Sequence, residues 1–189
     1  ASANLAAFIR EEVGDQITYV TDPCLAADVA RCMALNLYPD AVGMDLETIA
    51  HPDWAGHPGA GLVPELSQIR LWSVYDPIRL QCWVIDVGAC GLDWAEPLFE
   101  YNTPTVWHNA HFDLAHIWHA TGREMSFDCT MLLDRVVSGG NRSLRDLAKE
   151  ELDLAISKSL QVSDWARAQL HREQVIYAAA DAVIAGKLY

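Results

Sequence analysis

The sequence predicts an α/β fold, a mixed sheet flanked by helices, and two observations carry that expectation. Segments with strand character come first, strands and helices then alternate, and the last third is mostly helical, the order expected when helices cover a sheet laid down early in the chain. The length of 189 residues and an apolar fraction of 51% suit one domain with a substantial core. Taken in order, "QITYVTDP" (16–23) reads as a short strand closed by proline, and "CLAADVARCMALNLY" (24–38) has helical apolar spacing up to the "PD" that follows. "AVGMDLETI" (41–49) is a second strand, and "IAHPDWAGHPGAGLVPEL" (49–66), with three Pro and three Gly, is a loop. "SQIRLWSVYDP" and "LQCWVIDVG" are strands around a short "YDPIR" turn, predicting an antiparallel pair beside the preceding strand. "TPTVWHN" is a further strand, and "HFDLAHIWHATG" a helix ending on a glycine cap. "RSLRDLAKEEL" and "HREQVIYAAADAVIAGKLY" are the clearest helices of the remainder. The chain stops inside that last apolar helix, which predicts that it was cut from something longer; no repeat, low-complexity segment or linker divides residues 1–189.

Composition excludes several classes. The N-terminal "ASANLAAFIREEVGDQ" meets charge after nine residues, and no apolar run approaches the roughly 20 residues a membrane span needs, so a soluble chain with no membrane partner is expected. Cys24, Cys32, Cys82, Cys90 and Cys129 are odd in number and show no C-x-x-C spacing, which points to reduced thiols and a cytoplasmic location. The net charge of −13, from 26 acidic and 13 basic residues, lacks the basic face by which proteins coat nucleic acid. Action on nucleic acid then requires metal ions to supply positive charge at a small site for a strand end.

Two carboxylates interrupt the strand at 41–49. Side chains alternate along a strand, so Asp45 and Glu47 project together while Val42, Met44 and Leu46 pack behind them. Two such charges repel by roughly 4 kcal/mol at ~4 Å in a protein-like dielectric, and protons, a basic partner or a cation must offset this. Asp113 falls in the first turn of an apolar helix, and Tyr177 and Asp181, four apart, share a face of the last one. Singly, each is readily a cap or an ion-pair partner. Together, four carboxylates in apolar surroundings with no run of Lys or Arg beside them suit a hard cation, which prefers oxygen ligands. Two such ions ~4 Å apart can clamp a phosphodiester for in-line attack by water.

"DLET" (Asp45, Glu47), "NAHFD" (Asn109, Phe112, Asp113) and "YAAAD" (Tyr177, Asp181) resemble the three motifs of the DEDD exonuclease superfamily, in the branch whose third motif carries tyrosine. The resemblance spans residues 17–189, and "KSLQVSDW", Leu170 and "EQVIYAAADA" are similar to ribonuclease D and to the proofreading domains of family A DNA polymerases. It implies an RNase H-like fold whose five-stranded mixed sheet carries Asp45 and Glu47 on its first strand. It implies 3′-5′ exonuclease activity with two divalent ions, Mg²⁺ or Mn²⁺. Asp45 would bridge both metals, Glu47 and Asp181 would complete one site, and Asp113 would hold the second ion. Tyr177 would orient the attacking water, being a poor base at an ordinary pKa of ~10. Leu46, Thr48, Asn109, Phe112 and Trp165 would contact or support the substrate. A single-stranded 3′ end is the implied partner. The final helix, ending with the chain, tips the reading towards DNA and a polymerase-linked proofreading domain, with ribonuclease D-like RNA processing and an inactive module of the same fold as alternatives.

Other residues carry rival readings. His116 and His119, three apart on one helix, with His108 and His111 nearby, suggest zinc, although no second cluster completes a tetrahedron. Among seven tryptophans most belong in a core; Trp165 is the foremost candidate for stacking on a terminal base, and Trp54, in the Pro- and Gly-rich loop after the acidic strand, a weaker one.

Overall fold

The computed structural model describes residues 3–14, 16–35, 41–156 and 163–189. A two-residue strand β1 (Ala3–Asn4) leads into α1 (Leu5–Val13), followed by β2 (Ile17–Val20) and α2 (Pro23–Ala34). The Asp22 side chain accepts from the Cys24 N–H at 2.8 Å, and Pro23 occupies the first turn, where its missing donor costs nothing. The helix expected over 24–38 thus starts one residue early and ends at Ala34; residues 36–38 lie outside the described residues.

The acidic strand is β3 (Val42–Ala50). After it the Pro- and Gly-rich segment folds into three single 3₁₀ turns, at Pro52–Trp54, Ala60–Leu62 and Pro64–Leu66. β4 (Ser67–Asp76) and β5 (Gln81–Asp86) form the expected hairpin. Two short helices, α3 (Val87–Cys90) and α4 (Glu96–Glu100), lead to β6 (Thr105–Trp107), α5 (Ala110–Thr121), β7 (Phe127–Cys129) and α6 (Thr130–Ser138). Then come α7 (Leu144–Leu152), β8 (Leu154–Ala155) and α8 (Arg172–Leu188). Among the described residues no helix is long and apolar enough to cross a membrane.

The main sheet runs β2-β5-β4-β3-β6-β7, with β4 antiparallel to both neighbours and every other pairing parallel. It is the mixed sheet predicted, with six strands rather than five, and the acidic strand is not the first of them. The addition is β7, a three-residue edge strand whose exposed Phe127 and Asp128 give it no apolar alternation to read. β1 pairs separately with β8.

Alternation along β4 divides the core. Trp72 and Val74 face a layer containing Met44, Leu46, Trp94, Trp107 and Ile117, whereas Leu71 and Tyr75 face α1 and α8. Gly43, Asp45 and Glu47 share one face of β3, and α8 crosses that face. Its inner surface is built from Ala178, Ala179, Ala182, Ala185 and Gly186, so the helix backbone descends almost onto the strand. A methyl group on Gly43 would lie 2.3 Å from the Ala182 carbonyl oxygen, and one on Gly186 would lie 2.8 Å from the Tyr75 ring.

This contact predicts an asymmetry between neighbouring substitutions. Gly43→Ala forces α8 away from β3 and should destabilise the fold by about 1–3 kcal/mol, the usual penalty for overpacking a tight core, whereas Ala55→Ser, at an exposed position of the 51–66 segment with an ordinary φ of −57°, should cost well under that. Denaturant unfolding of the two variants measures the difference, and equal midpoints would mean that the helix has slack.

Candidate active site

β3 and α8 bring Asp45, Glu47 and Asp181 together: one carboxylate oxygen from each lies within 4.8 Å of the other two. The strand period sets Asp45 and Glu47 side by side, and the alanine face of α8 lets the short Asp181 side chain reach them. The fourth acid arrives from another layer. Beyond Gly43, β3 has no strand on its β6 side, and there the Leu46 N–H donates to Asp113 Oδ1 at 3.2 Å. That bond satisfies a backbone donor a paired strand would otherwise take and fixes Asp113, only 4% exposed, beside the other acids.

Burial dominates the chemistry of this cluster. It pushes the Asp45 and Glu47 carboxyls well above their usual range, and the charges of Asp181 and Asp113 push them further, with Glu47 adding to the effect on Asp45. Burial raises Asp181 to about 7 and Asp113 to about 8, the latter despite the Leu46 hydrogen bond, which favours the charged form. Four acids that resist ionising together, with oxygen donors alone, match the donor set of a hard divalent cation. Among the described residues this is the one cluster of metal-competent side chains so close, and it contains no histidine. The zinc reading gains no support, since among the described residues no group of three His, Cys, Asp or Glu side chains close enough to share an ion includes His108, His111, His116 or His119.

Tyr177, one turn before Asp181, is buried, and its hydroxyl is pushed up first by burial and then by the charges of Asp181, Glu47 and Asp45. It therefore remains a protonated donor at any ordinary pH. Trp165 lies against it, with ring centroids 6.2 Å apart. At 6% exposure Trp165 has no free face for a base, so the stacking expectation is corrected: it is a wall behind Tyr177. Its carbonyl oxygen accepts from Arg70 Nε at 3.2 Å, and Arg70 is itself paired with Asp86, to which Tyr19 also donates. Gln174 holds the same segment from α8, donating to Ser163 Oγ at 2.8 Å and to the Asp164 carbonyl oxygen at 3.1 Å. Of the "KSLQVSDW" stretch, residues 158–162 lie outside the described residues.

An open cleft of about 660 Å³ lies over the cluster, lined by Asp45, Tyr177 and Asp181 on one side and by His108, Asn109, Met131 and residues 141–145 on another. Asn109, with φ of 59°, adopts the left-handed conformation that asparagine tolerates, and so turns the chain from β6 into α5 at the cleft wall. Phe112 packs on His116 at 4.4 Å between ring centroids. Two further expectations are corrected. The Leu46 side chain is 5% exposed in the core layer behind the acids, as strand alternation requires, and only its N–H serves the site. Thr48 donates its hydroxyl to the Gly61 carbonyl oxygen at 2.5 Å, tying the Pro- and Gly-rich segment to β3 rather than facing the cleft. Trp54 is exposed on that segment, edge-on to His57, and does not line the cleft.

The wall at 141–145 is what sequence reasoning missed. "NRSLRDL" signals only a helix start, and Ser143 does cap α7 by accepting from the Asp146 N–H at 3.2 Å. That this helix end closes the cleft depends on tertiary packing with no local signature.

The family described as 3′-5′ exonuclease matches over residues 59–189. No curated protein sequence matches the chain. Among solved structures, Brucella melitensis NrnC is 26% identical, with a TM-score of 0.67, covering 92% of this chain and 78% of its own; structures of it with pGG and with Mg²⁺ match as well. Escherichia coli RNase D (19% identity, TM-score 0.72, 89% and 42% coverage) and the Aedes aegypti Nibbler EXO domain (17%, 0.74, 92% and 85%) share the fold.

The raised acids make a signed prediction for the metal-free protein. Asp181 titrates at about 7 in the fold against an ordinary 3.8, so its protonated form favours folding; that contribution is full below about pH 4 and is lost as pH rises through 7. Thermal melts in chelator should therefore show stability falling from pH 5 to pH 8, Mg²⁺ should restore it at pH 8, and Asp181→Asn should flatten the metal-free profile. A melting temperature unchanged across that range in the unsubstituted protein contradicts the assignment.

Proposed function

The chain belongs to the 3′-5′ exonuclease family and has the RNase H-like fold of its DEDD members, and from that premise we propose that it hydrolyses the terminal phosphodiester of single-stranded 3′ ends at a site for two divalent cations, Mg²⁺ or Mn²⁺. The observation that carries this reading is the convergence of Asp45, Glu47 and Asp181 within 4.8 Å. The family match begins at residue 59, so the first of these motifs owes its support to the geometry alone. All four acids and the tyrosine are present, with Asp45, Asp181 and Tyr177 lining one cleft, which favours an enzyme over an inactive module of the same fold.

Asp45, Glu47 and Asp181 would hold one ion and Asp45 with Asp113 the second, and the bound ions supply the positive charge that offsets the acids, the attacked phosphate and the departing 3′ oxygen. The protein's own groups do the rest. Asp113 is fixed by the Leu46 N–H, Asp45 and Glu47 by the rigid strand, and Asp181 by the alanine packing beneath it. Tyr177 orients the attacking water through its neutral hydroxyl, and Trp165 and the Arg70 clamp hold the ring in place. Water oxygen bonds to phosphorus as the P–O3′ bond breaks, releasing a nucleoside 5′-monophosphate and a shortened strand with a new 3′ hydroxyl.

We favour RNA ends over DNA. The lean towards DNA came from where the sequence stops rather than from the site, whereas NrnC, similar along 92% of this chain, has been solved with pGG. None of the relatives named above is described as part of a polymerase, so the proofreading partner expected from the sequence gains no support from them.

Two outcomes test the mechanism. Activity on 5′-labelled single strands should require Mg²⁺ or Mn²⁺, give a ladder shortening from the 3′ end, and vanish in chelator or with Asp45→Ala; hydrolysis in excess chelator would sink it. Tyr177→Phe should slow single-turnover cleavage by roughly 10 to 10³-fold with metal affinity nearly unchanged, since it removes an orienting hydrogen bond rather than a ligand. Equal amounts of RNA and DNA in one reaction decide the substrate class.

A further inference from the structure

Two arginines line the cleft, three residues apart, and they differ in what already holds them. Arg142 is consumed by the fold: its guanidinium pairs with Asp134, Glu150 and Glu151, and its backbone N–H donates to Asp134 Oδ2 at 3.0 Å. These contacts tie the start of α7 to α6. Arg145, the second residue of α7, is half-buried in the cleft wall, and among the described residues it forms no side-chain ion pair or hydrogen bond. In a chain of net charge −13 a half-buried guanidinium with no ion pair is conspicuous: its charge reaches the adjacent Asp146 without bonding to it, and partial burial removes water that would otherwise solvate it.

Its position narrows the ligand. Arg145 lines the same cleft as Asp45, Tyr177 and Asp181 but from α7, an element that carries none of the four acids, and among the described residues it forms no ion pair with any of them; its charge is felt at the Tyr177 hydroxyl, where it partly offsets the upward push of the acids. The cation thus stands beside the cluster rather than within it. An anion bound there is a neighbour of the group at the cluster rather than that group itself. Guanidinium geometry suits two oxygens of one phosphate, and the ion pairs of Arg142 keep the helix carrying it in register.

We propose that Arg145 binds the internucleotide phosphate one step 5′ of the scissile linkage, and so requires at least two linked nucleotides for full activity. The inference rests on the exonuclease reading and adds a contact that none of the three motifs contains. It gives this acidic protein one ready-made grip on the backbone that does not depend on metal.

The test pairs the residue with the charge it is said to meet. Single-turnover cleavage in Mg²⁺ is measured for the unsubstituted protein and for Arg145→Ala and Arg145→Gln, on single strands with natural linkages and on the same strands carrying one neutral methylphosphonate one step 5′ of the terminal linkage. Loss of a charge-assisted contact predicts a slowing of roughly 10 to 100-fold from either change alone, and no further slowing when both are present. Binding to natural strands should also lose about 0.7 from its logarithmic salt slope in the variants, with melting temperatures unchanged because the side chain has no partner in the fold. Effects that multiply, or variants as fast as the parent, overturn the assignment of Arg145 while leaving the exonuclease reading in place; a parent protein inert on natural strands overturns that reading instead.

Discussion

The structure depends on how closely the backbone of α8 approaches β3 at Gly43. Asp181 has a short side chain, and it meets Asp45 and Glu47 only because nothing larger than alanine or glycine separates helix from strand. The cost of that approach is a cluster of acids in a poorly solvated place. Carboxylates at such distances oppose one another by several kcal/mol in a protein-like dielectric, and burial, joined by that repulsion at Asp45, Glu47 and Asp113, pushes all four towards their protonated forms when no cation offsets them. The packing must therefore be strong where the site is weak: Ala178, Ala179, Ala182, Val183 and Ile184 are fully buried against Leu71, Tyr75 and Val84. A rigid apolar clamp holds together a group of charges that would otherwise separate.

That arrangement explains why so acidic a chain can act on a polyanion. The basic side chains nearest the site are largely committed to structure, Arg70 to Asp86 and the carbonyl oxygens of Trp165 and Arg167, Arg142 to three carboxylates. Among the described residues no continuous basic track is left to follow a strand, so attraction must be largely local, with ions at the acids its main source. A protein of this kind holds a strand end rather than a length of backbone, because each distant phosphate meets a field of the wrong sign. Selectivity for an end is then a consequence of charge as much as of cleft shape.

Much of this was legible in the sequence, because the acids sit on elements with strong local patterns. Strand alternation put Asp45 and Glu47 on one face, and the spacing of Tyr177 and Asp181 put them on one side of a helix. The same alternation forbids Leu46 from sharing that face, so assigning its side chain to substrate conflicted with a rule already in hand. β7 was missed because three residues at a sheet edge with an exposed Phe127 carry no periodicity. Trp165 was misplaced for a different reason. Its neighbours are polar, and only the long-range contacts from Arg70 and Gln174 turn it inward.

Those two contacts bear on the water-orienting role proposed for Tyr177. A hydroxyl that only orients water contributes in proportion to how narrowly its own position is defined, since a ring free to swing spends most of its time misaligned. Helix α8 fixes the Tyr177 backbone but not its side-chain torsions. The Trp165 ring, tilted against Tyr177 with centroids 6.2 Å apart, restricts that freedom, and it can do so only if its own segment is held. Arg70 reaches that segment from the sheet, and Gln174 reaches it from the helix that carries Tyr177 itself. Gln174 is buried, and it also accepts from the His171 N–H at 2.9 Å, capping α8 with the same side chain. The start of the helix, the loop before it and the tyrosine one turn further on are thus a single mechanical unit. Its far anchor is Asp86 at the end of β5, which places the support for the Tyr177 hydroxyl on the sheet rather than in the cleft.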